Sequence, residues 1–449
     1  MYIPHTPSET EDMLNIIGAE SISELFAAVP ENLRFPELNL PSRLSEMEAL
    51  SQAEDMSLVN ESVKDLVCFL GAGAYHHYIP AVVDSLIRRG EFLTAYTPYQ
   101  PEVSQGTLQS IFEYQSLIAA LTGMEVCNAS HYDGATATAE AAILAYHNFR
   151  GKRKKLVLSP AVNPQYRSTL RTYMRGIEEI EYSGDDLEDP FLYADDLLPQ
   201  IDSNTALVLV QYPDFFGRIT DLTRVAQAAH EVGALLAVVT NPIALALLKP
   251  PSEMGADIVI GEGQPLGIPL SFGGPFLGYF ATRKEYLRKI AGRIVGETVD
   301  EQGQRGYVLT LTAREQHIRR EKATSNICTN QGLIALASTI YMSTLGKQGM
   351  QQVAELCFHK AHYAAEKISQ LPGFSLCHED AFFHEFAVCC PRPAAEINAR
   401  LLEYDILGGY DLSVDYPTLP NHMLIAVTEM NSKDEIDYLC EALQEANND

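Results

Sequence analysis

Five short apolar runs recur between residues 150 and 285, and stretches with helical character separate them. The runs are KLVLS at 155–159, ALVLVQYP at 206–213, LLAVVT at 235–240, DIVIGEG at 257–263 and FLGYFAT at 276–282. Continuous apolar runs of this length are typical of strands that are buried on both faces. Between two of them, DLTRVAQAAHEVG predicts a helix, with Asp221 as its N-cap and Gly233 as its C-terminal stop. This β-α-β alternation predicts a mostly parallel sheet covered by helices.

The part of the chain before these runs predicts an arm and one amphipathic helix. Residues 1–60 mix short amphipathic pieces with the proline-punctuated run ENLRFPELNLPSRL, and they are expected to pack as an N-terminal arm. Further on, apolar residues from Leu108 to Leu121 are spaced for one face of a helix. That helix is expected to end at Gly123.

The part after the runs predicts a smaller α+β domain. Helices are expected from Ile334 and from Glu355 to Leu371, followed by the strands FHEFAVCC and MLIAVTE and by two final helices. We therefore predict a large domain at 61–320 and a small C-terminal domain at 321–449.

The charge balance argues against two classes of partner. The chain of 449 residues has a formal net charge of −27 and a pI near 4.8. Such a surface repels phosphate backbones and anionic lipids, so neither nucleic acid nor a membrane is an expected partner. No stretch approaches eighteen consecutive apolar residues, and the first residues carry no basic leader or apolar signal core. A cytoplasmic location is expected.

The cysteines are scattered and predict no metal site. They are Cys68, Cys127, Cys328, Cys357, Cys377, Cys389, Cys390 and Cys440. They form no CxxC pair, and no His/Cys group has zinc-like spacing. Buried free thiols in a reducing compartment are the expected state.

Four motifs carry a resemblance to a known family. They are TAYTPYQPEVSQGTLQSIFEYQ at 94–115, NASHYDGATATAEA at 128–141, IPLSFGGPFLGYFAT at 268–282 and REKATSNICTNQ at 320–331. Together, and in this order, they resemble the P-protein of the glycine cleavage system. P-proteins occur as one long chain of two homologous halves or as two subunits, and this chain resembles the first half, the alpha subunit. The resemblance implies pyridoxal-phosphate (PLP) fold type I, similar to aspartate aminotransferase.

The resemblance also implies that the cofactor lysine is missing. It aligns Gln264, in GEGQPLG, with the lysine that forms the Schiff base, and an amide cannot form an imine with an aldehyde. It aligns Thr240 and Asn241 with the aspartate that would pair with the pyridinium nitrogen. The next lysine along the chain, Lys284, follows FLGYFAT one strand too late and is expected to face solvent.

The phosphate-binding turn of the family is retained in outline. Residues 130–136 introduce a helix whose free backbone N–H groups could hold a phosphate. Asp133 argues against this, because a carboxylate beside a phosphate is repulsive. Capping of the helix by Asp133 or its neighbours is the alternative.

Two segments could still contribute to an active site shared with a partner. In the first, AYTPYQPEVSQG, the candidates are Tyr96, Tyr99, Gln100, Glu102, Ser104 and Gln105. In the second, KATSNICTNQ, the candidates that could hydrogen-bond a neighbour's phosphate are Thr324, Asn326 and Thr329. Packing of the tyrosines, and helix capping by Ser104 or by a residue of the second segment, are the alternatives.

Two further pairs of side chains have weaker candidate roles. His76 and His77 could form part of an entry for a swinging lipoyl arm, or could be satisfied or solvent-facing histidines. Arg319 and Arg320 could bind a substrate carboxylate, or could pair with nearby glutamates.

The function implied by the resemblance is that of half an enzyme. A PLP-bearing beta subunit would complete an α2β2 heterotetramer, which would decarboxylate glycine and pass the aminomethyl group to the lipoyl group of H-protein. This chain would complete the active site and the channel without its own Schiff-base lysine. A structural or regulatory paralogue, and a self-sufficient PLP enzyme that uses another lysine, are the alternatives.

Overall fold

The computed structural model describes residues 4–185, 187 and 189–448. The chain divides into two compact units, one ending at Glu61 and the other beginning at Ser62. The first unit contains helices α1 (Pro7–Ile17) and α2 (Glu46–Ser57), and neither helix buries a residue. Each begins with a capping box, in which Thr6 or Ser45 exchanges hydrogen bonds with the residue three positions on. Local hydrogen bonding therefore defines these helices.

The second unit holds all the strands of the described residues. In chain order they are β1 (Val67–Cys68), β2 (Val126–Cys127), β3 (Lys155–Leu158), β4 (Glu181–Ser183), β5 (Thr205–Tyr212), β6 (Leu235–Thr240), β7 (Ile258–Glu262), β8 (Gly278–Thr282), β9 (Ile294–Val299), β10 (Arg305–Thr310), β11 (Ser375–Leu376), β12 (Glu385–Cys389), β13 (Ile406–Leu407), β14 (Tyr410–Asp411) and β15 (His422–Ala426). The central sheet has seven of them, in the order β2-β8-β7-β6-β5-β3-β4. Strands β3 to β7 are parallel, whereas β8 is antiparallel to both of its neighbours.

The helices of this unit include those that cover both faces of the central sheet and those that pack on strands β12 and β15. They are α3 (Ala81–Ile87), α4 (Gly90–Leu93), α5 (Gln105–Thr122), α6 (Gly134–Asn148), α7 (Pro164–Met174), α8 (Thr223–Glu231), α9 (Gln316–Arg319), α10 (Gly332–Ser369), α11 (Ala394–Leu401) and α12 (Lys433–Asn448). Along β5, Val208 and Val210 pack into a core with α5, α8 and α10, while Leu207 and Leu209 pack into a second core with α6 and α7. Burial on both faces explains why the strand sequences are continuously apolar.

The predicted strands and helices of the α/β part are confirmed. All five apolar runs contain strands, and α5 ends at Gly123, which adopts the left-handed conformation. The predicted N-cap of α8 is wrong by one residue, because Leu222 occupies that position; Asp221, just before it, accepts a hydrogen bond from the backbone N–H of Thr223. None of the helices in the described part of the chain combines the length and apolarity that crossing a bilayer requires.

The C-terminal residues form the predicted α+β arrangement with one difference. A four-stranded antiparallel sheet has the order β11-β12-β15-β14, and α10, α11 and α12 supply the helices. The sequence predicted a second helix from Glu355, but the helical path resumes directly after Gly346, where φ is 60° and ψ is −174°. Glycine permits this break because it has no Cβ to clash in that conformation.

Segments on both sides of the predicted boundary at residue 320 are joined by hydrogen bonds. Strand β1 pairs in parallel with β13, and the backbone N–H of Phe383 donates to the carbonyl of Gly217 at 3.1 Å. Gly217 has a φ of +90°, and a Cβ on it would lie 1.8 Å from the carbonyl oxygen of Glu385. The division into domains at 320 stays a prediction.

A Cβ at position 217 would push the segment after β5 away from β12. Replacing Gly217 by alanine is therefore expected to disrupt the contact between the central sheet and the four-stranded sheet. We expect Gly217→Ala to lower the free energy of unfolding by more than about 3 kcal/mol. Gly303→Ala is the matched control, because Gly303 has a φ of +77° but no atom within 4 Å of an added Cβ. Left-handed strain alone should lower its stability by about 1–2 kcal/mol. Urea denaturation measures both losses, and equal losses would contradict this account.

Candidate functional site

The carboxyl ends of the parallel strands meet the start of α6 at one edge of the central sheet. Strand β6 ends at Thr240 and β7 ends at Glu262, and Gln264 follows two residues later. In open α/β sheets, ligands bind in the crevice outside the carboxyl ends of the strands. This edge is therefore the place to test for a cofactor pocket.

Gln264 is buried and its side-chain amide is fully hydrogen-bonded within the chain. Its Nε2 donates to the carbonyl oxygens of Tyr75 at 2.9 Å and Ile268 at 2.8 Å. Its Oε1 accepts from the backbone N–H of Tyr75 at 2.8 Å. The amide thus joins the segment around Tyr75 to the turn after β7, and it presents no nucleophile to the pocket.

Glu262 was not predicted from the sequence, yet it occupies the centre of this edge. Its Oε2 accepts from the backbone N–H of Gly134, at the start of α6, at 2.9 Å. Its Oε1 accepts from the backbone N–H groups of Gln264 and Leu277, both at 3.0 Å. Burial raises the pKa of Glu262 to about 8, against the lowering effect of these N–H groups. The only signal in the sequence was an acidic residue inside the apolar run DIVIGEG.

Asp133 caps α6, so the capping alternative is observed. Its Oδ1 accepts from the backbone N–H of Thr136 at 2.7 Å, and the Thr136 hydroxyl accepts from the backbone N–H of Asp133. The N-terminus of α6 therefore already has two carboxyl groups as acceptors, one from Asp133 and one from Glu262. A phosphate would have to displace both groups from the N–H groups that they accept, and it would meet the negative charge of Asp133.

Thr240 and Asn241, which the resemblance aligns with the partner of the pyridinium nitrogen, supply no carboxylate. The Thr240 hydroxyl lies 2.6 Å from the hydroxyl of Tyr279, and Asn241 Oδ1 accepts from the backbone N–H of Ile243 at 2.9 Å. The cavity bounded by Thr240, Asn241 and Glu262 has a volume of about 30 Å³. That volume has room for about one water molecule and not for a pyridine ring.

The residues at this edge therefore do not fit PLP. The sequence contains no lysine between Lys249 and Lys284, and Lys284 itself is exposed beyond β8, as predicted. Open space remains beside the edge. A cleft of about 380 Å³ reaches Asp133 and Glu262, and another of about 520 Å³ is lined by His76, His77 and Gln264.

Within the first candidate segment, both tyrosines are exposed. Tyr96 is 72% exposed and Tyr99 is 76% exposed, and their ring centroids are 6.3 Å apart. Gln105 is instead engaged within the chain, where its amide bonds both the N–H and the carbonyl of Tyr307. Ser104 occupies the N-cap position of α5 without a side-chain capping bond.

The remaining members of this segment, Gln100 and Glu102, are exposed. They flank Pro101, which begins a short 3₁₀ turn ahead of α5. Like the two tyrosines, they are exposed residues of the segment that precedes α5.

The second candidate segment packs on the start of α6 of its own chain. Ser325 donates to Glu140, and the backbone N–H of Cys328 donates to the hydroxyl of Tyr132 at 2.9 Å. Thr329 accepts a hydrogen bond from Arg293. Within the segment, Asn326 is exposed and Thr324 is half-buried. Whether these side chains reach a neighbouring cofactor stays a prediction.

The two weaker pairs of candidates have different surroundings. His77 is buried, and its Nδ1 lies 2.7 Å from Glu429 Oε2, while His76 is half-buried in the same cleft. Arg319 and Arg320 are exposed. Of the two nearby glutamates, Glu315 and Glu321, the first lies 3.9 Å from the Nε of Arg293.

Comparisons with known proteins agree with this fold. A solved structure of a C-DES mutant with glycine covalently linked to its PLP cofactor has a TM-score of 0.61 over 85% of this chain and 97% of that chain, at 14% identity. At that identity the likeness shows the fold alone. The fold is the PLP fold type I architecture, as the sequence predicted.

The family follows from closer relatives. The family model described as glycine cleavage system P-protein matches residues 1–443. A probable glycine dehydrogenase (decarboxylating) subunit 1 of Thermomicrobium roseum is 55% identical over 99% of both chains. The crystal structure of a glycine decarboxylase (P-protein) in inhibitor-bound form has a TM-score of 0.90 and 42% identity over 99% of this chain and 100% of that chain. The chain belongs to the glycine cleavage system P-protein family, and the predicted oxidoreductase subunit is confirmed at that level.

The hydrogen bonds of Glu262 predict the effect of an isosteric change. In Glu262→Gln, the new NH₂ group must face at least one of the three backbone N–H groups that the carboxyl oxygens now accept. We expect the free energy of unfolding to fall by about 1–3 kcal/mol, the usual cost of leaving a buried donor unpaired. Glu253→Gln is the control, because Glu253 is exposed. Urea denaturation compares the two variants, and equal stabilities would contradict the assigned contacts.

The raised pKa of Glu262 predicts a pH dependence with a definite sign. Burial raises this pKa from 4.5 to about 8, so the folded chain keeps a proton that the unfolded chain has released. The contribution of Glu262 to stability is therefore full below about pH 4.5 and is lost as the pH rises towards about 8. The stability of the wild type relative to Glu262→Gln should fall between about pH 5 and about pH 8. A relative stability that grows with pH would mean that the three N–H groups outweigh burial.

Proposed function

We propose that this chain is the subunit of glycine dehydrogenase (decarboxylating) that lacks the cofactor lysine and works with a second, PLP-bearing subunit. The observation that carries the proposal is Gln264, whose buried amide occupies the turn after β7 with all its hydrogen bonds made inside the chain. The curated relative from Thermomicrobium roseum carries the words "subunit 1" in its name.

The carboxyl groups at the start of α6 support a requirement for a partner. Glu262 and Asp133 occupy the backbone N–H groups at the start of α6, and the cavity at Thr240 holds about 30 Å³. A chain of this fold that cannot hold the cofactor can still serve an active site at a subunit interface. By this proposal a beta subunit binds PLP covalently, and two copies of each chain form an α2β2 heterotetramer in the cytoplasm.

The contribution of this chain would be made by its exposed polar and aromatic loops. Tyr96 and Tyr99 are large aromatic side chains that are mostly exposed to solvent. Their segment leads into α5 through the short turn that begins at Pro101. Aromatic side chains in such positions are enriched at protein interfaces. With Asn326 and Thr324, they are the candidate contacts with the partner's site. The assembled enzyme would decarboxylate glycine and transfer the aminomethyl group to the lipoyl group of H-protein.

Borohydride labelling tests which chain holds the cofactor. Each subunit is purified alone and in the co-expressed complex, incubated with PLP, reduced and digested for mass spectrometry. We expect a pyridoxyl-lysine on the partner and none on this chain, and exchange of CO₂ into glycine only when both chains are present. A labelled lysine on this chain would instead establish a self-sufficient enzyme.

A double substitution tests the contact loop. We expect Tyr96→Ala with Tyr99→Ala to leave the thermal unfolding of the isolated chain unchanged, because both rings are exposed. CO₂ exchange by the reconstituted complex should fall by about tenfold or more, since misplacing groups at a shared site affects the rate strongly. Tyr438→Ala on α12, whose ring is 38% exposed, is the control. Unchanged exchange in the double variant would favour a structural or regulatory paralogue.

A further inference from the structure

Two cysteines and a histidine meet on one face of the four-stranded sheet. Cys389 on β12 is the direct cross-strand partner of His422 on β15. Residue 375 on β11 is the partner of Cys389, and the N–H of Cys377 donates to the carbonyl of Ala387, which continues this pairing. Because side chains two positions apart on a strand share a face, Cys377 lies on the same face as Cys389.

The potential ligand atoms of these residues are close together. The two sulfur atoms are 3.0 Å apart, and one nitrogen of His422 completes a group whose three atoms all lie within 4.8 Å of one another. The sequence concealed this group, since its members have no zinc-like spacing along the chain. Adjacent strands bring them together, which their spacing along the sequence did not indicate.

The polar atoms of the cluster are poorly satisfied by the rest of the chain. Among the described residues, the Nδ1 of His422 is buried and has no hydrogen-bond partner. Cys377 and Cys389 are free thiols, and the hydrogen bond between them joins one weak donor to one weak acceptor. An unpaired buried nitrogen is unfavourable unless a ligand or water satisfies it.

We propose that Cys377, Cys389 and His422 form a binding site for a soft divalent metal ion of the zinc class. Thiolate and imidazole are the ligands that this class of ion prefers. Zinc–sulfur bonds of about 2.3 Å in a tetrahedral site place two sulfurs roughly 3.8 Å apart, so the thiols need to separate by less than about 1 Å. Three protein ligands leave one position for water.

Binding at this site is an exchange of protons for the metal. Without an ion, Cys377 and Cys389 are free thiols that share a hydrogen bond. A divalent ion replaces the two thiol protons, which pass to water, and no electron is transferred. The two positive charges of the ion balance the two thiolates, and the half-buried site gains no net charge.

The position of the cluster defines what the ion would do. Cys377 packs against the apolar group formed by Phe215, Phe216 and Leu424, where the small sheet meets the loop after β5. The Phe191 ring lies 6.2 Å from His422. An ion here would connect β11, β12 and β15 and stabilise this sheet. None of the proposed metal ligands comes from the edge of the central sheet at Glu262.

Zinc binding by the reduced full-length chain tests the proposal. Equilibrium dialysis against buffered ZnCl₂, read by plasma mass spectrometry, should give one Zn²⁺ per wild-type chain. Cys377→Ser, Cys389→Ser and His422→Ala should each lower the affinity by more than the roughly 100-fold that loss of a second-sphere partner can cause. Cys390→Ala is the matched control, because Cys390 is adjacent in sequence but packs in the core on the opposite face of β12.

A second measurement uses only the wild-type chain, so a misfolded variant cannot obscure the answer. Zn²⁺ should protect Cys377 and Cys389 from iodoacetamide, while the exposed Cys328 reacts at an unchanged rate. Equal alkylation with and without Zn²⁺ would overturn the proposal. So would equal zinc affinity in all four variants, or a chain isolated with Cys377 and Cys389 joined as a disulfide that takes up no zinc after reduction.

Discussion

One buried carboxyl group determines what the central sheet can do. Glu262 accepts backbone N–H groups from the start of α6, from the turn after β7 and from the residue before β8. It thereby joins three segments at the edge where enzymes of this fold bind a phosphate. Because its oxygens already occupy the helix N-terminus, the same contacts that stabilise the edge also exclude an anionic cofactor.

The neighbouring residues follow the same constraint. Gln264 uses its amide to hold the turn after β7 against Tyr75, and Asp133 uses its carboxylate to cap α6. Each of these side chains satisfies backbone groups of its own chain at this edge. The proposed function therefore depends on surface residues such as Tyr96 and Tyr99, which are exposed and which a partner can contact.

Predictability differed between the parts of the structure for physical reasons. Strands β3 and β5 to β8 could be predicted because burial on both faces requires continuous apolar sequence. The bonding of Gln105 to Tyr307 could not be predicted, because the two residues are distant in sequence. The break of α10 at Gly346 could not be predicted either, because glycine permits a non-helical angle without requiring one. The role of Glu262 was missed because it depends on three backbone N–H groups, and the sequence alone does not show that these groups lie beside the side chain.

The sequence by itself determined that Gln264 in GEGQPLG cannot form an imine, since imine formation depends on residue type alone. It also determined the α/β fold, through hydrophobic patterning. Only the tertiary structure decided that Glu262 closes the pocket and that Cys377, Cys389 and His422 share one face of a sheet. Both outcomes arise from strand register and helix placement, which bring together residues that are far apart in the chain.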